Sequence, residues 1–279
     1  MSIVASDGAG ARWWERFFDD AFAELWLSDD DPSERQRRTD GLMRVLGLRA
    51  GSWLFDQCCG VGRVAVPLME RGVHVEGVDG VASYVARARA RCESLPAGTL
   101  GHARFECGDA LTYVPAARCD AAINWYTSFG YSDDDAANTA MLRCVREALR
   151  PGGLFALDYP DMERVRACFR PRSERTRDTP RGRFVAVREA RLDEQRGMLV
   201  DRWTFVAPSG ETRTRAGETR LYSSDQLRVL LRSVGFEVLR QVAPRDVGYA
   251  EDAGRCILLA RRPLPRESST SARPVGSTS

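Results

Sequence analysis

This sequence predicts an α/β fold built on one mostly parallel sheet with helices on both faces, and three observations carry the prediction. Short apolar runs alternate with helical patterns from about residue 49 to Asp161, the βαβ rhythm of a doubly wound sheet. A glycine-rich turn, Cys58-Cys59-Gly60-Val61-Gly62, separates the first run from the first helix. Each run also ends in polar or aromatic residues, where open parallel sheets bind ligands.

The elements follow in order. "SWLFDQ" reads as the first strand and ends near Asp56, and the glycine turn leads into a helix carrying Val64, Val66, Leu68 and Met69. "VHVEGVD" is the second strand, ending at Asp79, and "YVARARARC" is the helix after it. "ARFECGD" forms a short third strand ending at Asp109, and "CDAAINW" forms the fourth. The helix "AANTAMLRCVREAL" and the turn "RPGG" precede a fifth strand, "LFALDY". Beyond Asp161 three alternating stretches joined by "DEQRG" and "PSG" predict an antiparallel insertion over about 183–222. A helix opened by Ser224-Asp225 and strands near "FEVLRQV" and "RCILLAR" complete the core. The expected organisation is disorder over 1–10, an aromatic-rich N-terminal helical lid over 11–48, a core over 49–262 and a disordered tail over 263–279.

Composition removes several classes of function. All 41 basic residues are Arg, so there is no lysine for Schiff-base chemistry or for a P-loop. The formal net charge of +2 gives no global field toward nucleic acid or membrane, and neither is expected as a partner. The Arg-rich stretch from Arg164 to Arg183 reads as a solvated loop, with contact to nucleic-acid phosphates as the alternative and contact to an acidic substrate or a carrier between the two. His74 and His102 lie beside apolar runs and read as structural. The eight cysteines include no C-x-x-C pair, so no metal is expected. With no apolar run of membrane-spanning length, the expectation is a cytoplasmic enzyme.

The glycine turn carries the strongest chemical signal. Glycine lets the backbone turn sharply and approach a ligand closely, and Asp79 follows at the spacing where a carboxylate accepts hydrogen bonds from ribose hydroxyls. A dinucleotide fingerprint would need a third glycine, and Ala65 stands there. A ligand with a ribose and no pyrophosphate fits better.

Over roughly residues 40–262 these motifs resemble those of the class I S-adenosylmethionine-dependent methyltransferases. "DQCCGVGR" matches their first motif, Asp79 the acidic end of the second, and Gly108-Asp109 their adenine-contacting position. "CDAAINWYTSFGY" resembles their fourth-strand motif and "ALRPGGLFALDYP" their Pro-Gly-Gly turn. The resemblance implies a Rossmann-like three-layer α/β/α sandwich that binds S-adenosylmethionine and releases S-adenosylhomocysteine, without a metal. It implies that Asp79 holds the ribose and that Gly80 and Val81 pack near ribose and adenine. Gly60 and Gly62 would flank the amino-acid portion, and Asp109 with Ala110 would border the adenine. Asp56 would orient the cofactor ammonium or stabilise the loop. The chain departs from the pattern at Cys58, where the family has Gly, which calls for either an altered backbone or a thiol packed beside the methionine portion.

On the acceptor side, Asn124, Tyr126, Tyr159 and Asp161 are the catalytic candidates, Asn124 being expected to contact the cofactor as well, while Trp125 and Phe129 read as core. One of Arg35, Arg37 and Arg38 is a candidate for the cofactor carboxylate. An alcohol or phenol acceptor would call on Asp158 or Asp161 as base. The absence of a nearby His tilts the reading toward N-methylation of a small molecule, free or carrier-bound, in specialised metabolism. Two alternatives keep the cofactor: a cyclase of the azetidine-2-carboxylate synthase type, and a non-catalytic binding protein. The segment "RWWERFFDDAFAELWL" is expected to form one helix over 12–27 that covers the pocket.

Overall fold

The computed structural model of the protein describes residues 12–27, 31–96, 98–99, 101–179, 182–250 and 254–265. The expected disordered stretches, 1–10 and the tail from 266 onward, lie outside the described residues. The strands are β1 (Trp53–Gln57), β2 (His74–Asp79), β3 (Ala103–Cys107), β4 (Cys119–Asn124), β5 (Leu149–Pro160), β6 (Arg172–Thr179), β7 (Gly182–Asp193), β8 (Met198–Val206), β9 (Thr212–Arg220), β10 (Glu237–Val242) and β11 (Arg255–Arg261). Seven of them form one sheet in the order β10-β11-β5-β4-β1-β2-β3. β1 to β5 run parallel, whereas β11 pairs antiparallel with β5 and β10 antiparallel with β11. The chain winds from β1 outward to β3 and then returns to β4 on the other side, which opens a crevice at the carboxyl ends of β1 and β4.

The strand period of two sorts the core into two layers. Leu54, Ile123, Ala156 and Ile257 point to the face covered by α3 (Pro32–Val45), α4 (Ala65–Glu70) and α5 (Ala82–Glu93). Their neighbours Phe55, Ala122, Phe155 and Leu258 point to the face covered by α6 (Asp135–Ala148) and α8 (Ser224–Ser233). The three-layer α/β/α class expected from the sequence is thus the class of this structure. The helices begin where side chains can satisfy free amides: Asp31 caps α3 ahead of Pro32, and Ser223 and Gln226 form a capping box on α8. His74 and His102 stack at 5.1 Å, with the His102 amide donating to His74 Nδ1.

Three expectations need correction. Residues 12–27 form two short helices, α1 (Trp14–Phe17) and α2 (Asp20–Trp26), because Asp19 turns its carboxylate onto the Phe22 amide and starts a new helix. The expected lid over 11–48 shrinks accordingly. α3 belongs to the core, where Leu42, Val45 and Leu46 are buried, and a Cβ at Gly41 would lie 2.3 Å from the Asp246 carbonyl. The insertion begins at 172 and has four strands in the order β6-β7-β8-β9. Its first strand is the Arg-rich stretch that reads as a loop. β6 is an exposed edge strand that buries almost nothing, so it carries no apolar alternation.

Candidate active site at the strand ends

The turn after β1 folds through three left-handed residues, Cys58 (φ 62°), Gly60 (φ 55°) and Gly62 (φ 75°). The backbone at Cys58 therefore takes the conformation that favours glycine even though a thiol is attached. The Cys58 side chain is half-buried on the cavity wall, with Sγ 3.9 Å from the Ser128 carbonyl. The two glycines part company. Gly60 faces a cavity of about 670 Å³, whereas Gly62 is absent from its wall, since a Cβ there would press on Val66 and Ala88. Gly62 serves the packing of α5 on the turn.

Asp79, at the end of β2, ties the turn together. Its Oδ2 accepts from the Gly60 amide and its Oδ1 from the Val81 amide, both at 2.9 Å. Burial raises its pKa, and those two hydrogen bonds oppose the rise. Asp56 is 2% exposed and its Oδ2 has no hydrogen-bond partner. Burial first, and the charge of Asp79 second, push this carboxyl up to about 8. Asp109 accepts from the Leu111 amide and pairs with Arg12 at 2.6 Å. Of the candidate cofactor residues, Asp56, Cys58, Gly60, Asp79, Gly80, Val81, Asp109 and Ala110 all line the one cavity.

The acceptor candidates separate. Tyr126 lines the cavity; Asn124, Tyr159 and Asp161 do not. Asn124 is fully buried and donates to Gln57 Oε1, and Gln57 in turn donates to the Ala110 carbonyl. It props the loop from within the sheet, behind the cavity wall. Tyr159 follows Asp158 on β5, so the strand period turns it to the α6 and α8 face, where it packs on Phe129 and Tyr222 and donates to the Arg220 carbonyl. Asp161 caps α7 (Met162–Ala167) through the Glu163 and Arg164 amides. The remaining candidate base, Asp158, is fully buried and accepts from the Tyr126 amide, Tyr249 Oη and Arg255 Nε. Phe129 is in the core as expected, while Trp125, 2% exposed, also contributes to the cavity wall.

Two cations on this wall have no role assigned by any motif legible in the sequence. Arg63 lies 3.9 Å over the Tyr126 ring and Arg255 donates to Thr127 Oγ1, and both line the cavity. Arg38, a candidate for the cofactor carboxylate, is buried against Glu34 and Tyr126 outside the cavity wall. Tyr126 and Thr127 both have positive φ, at 58° and 64°. Such strain persists where the surroundings over-determine it, as Asp158 does through the Tyr126 amide and Arg255 through the Thr127 hydroxyl. Trp14, Phe18, Phe22 and Trp26 roof the cavity opposite Tyr131. Arg63 donates to the Trp26 carbonyl and Tyr84 to the Asp19 carbonyl, pinning the roof to the core. Among the described residues no helix is long and apolar enough to cross a membrane.

Residues 55–153 match a family described as a methyltransferase domain. The S-adenosyl-L-methionine-dependent Diels-Alderase iccD of Talaromyces variabilis is 34% identical over 148 residues, 52% of this chain and 47% of that protein. The chain thus spans about half the length of this relative. A crystal structure of a S-adenosylmethionine-dependent methyltransferase from Clostridium acetobutylicum has TM-score 0.69 at 16% identity, covering 87% of this chain and 96% of that one. The sugar N-methyltransferase KedS8 from a Streptoalloteichus species has TM-score 0.63 at 16% identity, over 84% of this chain and 88% of that one. The glycine turn, the parallel sheet wound about β1 and the sequence match agree: residues 55–153 match a methyltransferase domain, in a chain with the fold of the class I S-adenosylmethionine-dependent methyltransferases.

Proposed function

We propose that the protein is an S-adenosylmethionine-dependent methyltransferase that methylates an amine of a small molecule, in the cytoplasm and in specialised metabolism. One observation carries the reading: a single cavity joins a buried, unpartnered Asp56 oxygen to an acceptor wall behind which the nearest candidate base, Asp158, is buried and already engaged. The fit to a cationic nucleoside is chemical. Asp79 supplies negative charge and Asp56 does so once a cation favours its ionised form, and a Cβ at Gly60 or Gly80 would meet nothing nearer than 3.9 Å, so both open onto free space.

S-Adenosylmethionine supplies an electrophilic methyl on a sulfonium. In this reading Asp79 keeps lone pairs for the ribose hydroxyls while its other contacts hold the turn, and Asp56 takes the ammonium. Ala110 and Asp109 border the adenine. Trp14, Phe18, Phe22, Trp26 and Tyr131 exclude water and offer aromatic faces to positive charge. The protein then has mainly to align the acceptor. A neutral amine carries its own lone pair, whereas a hydroxyl calls for a base. Asp158 is held by three donors and Asp161 caps a helix elsewhere, which supports the amine. The similarity to a protein named a sugar N-methyltransferase points the same way.

A second reading is favoured by the sequence relative named a Diels-Alderase: the cofactor stays bound and its methyl is not transferred. Mass spectrometry with trideuteromethyl cofactor and matched panels of small amines and phenols separates the readings. Labelled amines with S-adenosylhomocysteine are expected. Labelled phenols alone would overturn N-methylation. Methylthioadenosine formed without acceptor would mean cyclisation, and intact cofactor with every acceptor would favour the second reading.

A further inference from the structure

The acceptor wall carries a buried guanidinium, Arg255, whose structural contacts leave one nitrogen over. Arg255 opens β11, and its register opposite Pro160 sets it at the carboxyl end of β5. Its guanidinium reaches across β5 toward β4, giving Nε to Asp158 and Nη1 to Thr127 Oγ1. The third nitrogen, Nη2, is buried and has no hydrogen-bond partner. Buried guanidinium nitrogens are normally matched, and Arg255 lines the cavity. Arg63 stands on the same wall, its guanidinium over the Tyr126 ring.

Position argues for the acceptor rather than the cofactor. With neighbouring strands about 4.8 Å apart, β11 lies four strands from β2, roughly 19 Å from the backbone of Asp79. An amino-acid arm whose ribose is held at Asp79 ends near β1 and β4, beside Arg63 and short of Arg255. We propose that Arg255, with Arg63, forms a subsite for a carboxylate on the acceptor, so that the substrate class is a small amine that also bears an acid group. Arginine suits the role because its planar fork matches a carboxylate and its charge does not titrate away. The proposal rests on the methyl-transfer reading of the cavity.

The test is calorimetry on the full chain saturated with S-adenosylhomocysteine, titrated with phenylacetate and with its uncharged analogue phenylacetamide. Phenylacetate is expected to bind at least about tenfold more tightly, and Arg255→Gln to erase the difference while Arg255→Lys keeps part of it. Should Arg255→Gln fail to fold because Asp158 loses its counter-ion, Arg63→Gln provides the comparison and should narrow the preference. Equal binding of acid and amide, or a preference untouched by these variants, overturns the subsite. Variants that weaken S-adenosylhomocysteine but not methylthioadenosine, which lacks a carboxylate, would assign the wall to the cofactor and overturn the acceptor claim. Failure of the wild type to bind S-adenosylhomocysteine would instead strike the methyl-transfer reading, and a phenylacetate preference in that protein would still support the subsite.

Discussion

Asp56 is the residue on which the electrostatics of the cavity turn. Burial and the neighbouring Asp79 push its carboxyl up to about 8. A carboxyl whose folded pKa is raised adds most to stability below its unfolded value near 4, and that contribution fades as pH rises toward 8. A cationic ligand beside it favours the ionised form, so binding in that window expels a proton. S-Adenosylmethionine affinity is therefore expected to climb between about pH 5 and 8, by up to about tenfold per unit, and then level off. Asp56→Asn should flatten the profile. Calorimetry across pH, repeated in buffers of different protonation enthalpy, reads both the affinity and the released proton. A pH-independent affinity in the wild type would contradict this account. Cys58 teaches a related lesson: the sequence offered either an altered backbone or a packed thiol, and the structure keeps the left-handed backbone with the thiol on the cavity wall.

At the scale of elements, the aromatic segment is more than a loose cover. Its residues divide by direction. Phe17 and Leu25 are buried toward the insertion, Leu25 packing with Phe184, Ala186 and Phe205, while Trp14, Phe18, Phe22 and Trp26 face the cavity. Deleting residues 1–27 would therefore also strip the antiparallel sheet. A cleaner probe is Gly217→Ala on β9. Its Cβ would lie 2.8 Å from the Trp13 ring, whose Nε1 donates to the Tyr131 carbonyl. The substitution is expected to lift Trp13, speed amide exchange over residues 12–17 and lower turnover, while β7 and β8 stay protected. Unchanged exchange over 12–17 would show that the roof does not hang on this contact.

For the whole molecule, what was legible in the sequence is what local chemistry dictates. The parallel core could be read because apolar runs and glycine turns announce themselves within a few residues, and Asp79 and Gly60 because their spacing follows from one βαβ unit. Tyr159 and Asp161 were misplaced because one residue of strand period decides which face a side chain takes, and a helix cap can claim a carboxylate. Arg255 was invisible until β11 was paired antiparallel to β5, and β6 until it was seen as an edge. The central claim, that this cavity holds the cofactor, is tested most directly at Gly80. That residue lines the cavity outside the left-handed region, and a Cβ there would meet only the Gly108 carbonyl at 3.9 Å. Gly80→Leu should therefore fold without strain and fill the space a ligand needs. The variant is expected to melt as the wild type does yet bind S-adenosylhomocysteine at least about tenfold more weakly, about 1.4 kcal/mol. Equal affinity in the folded variant and the wild type would contradict it.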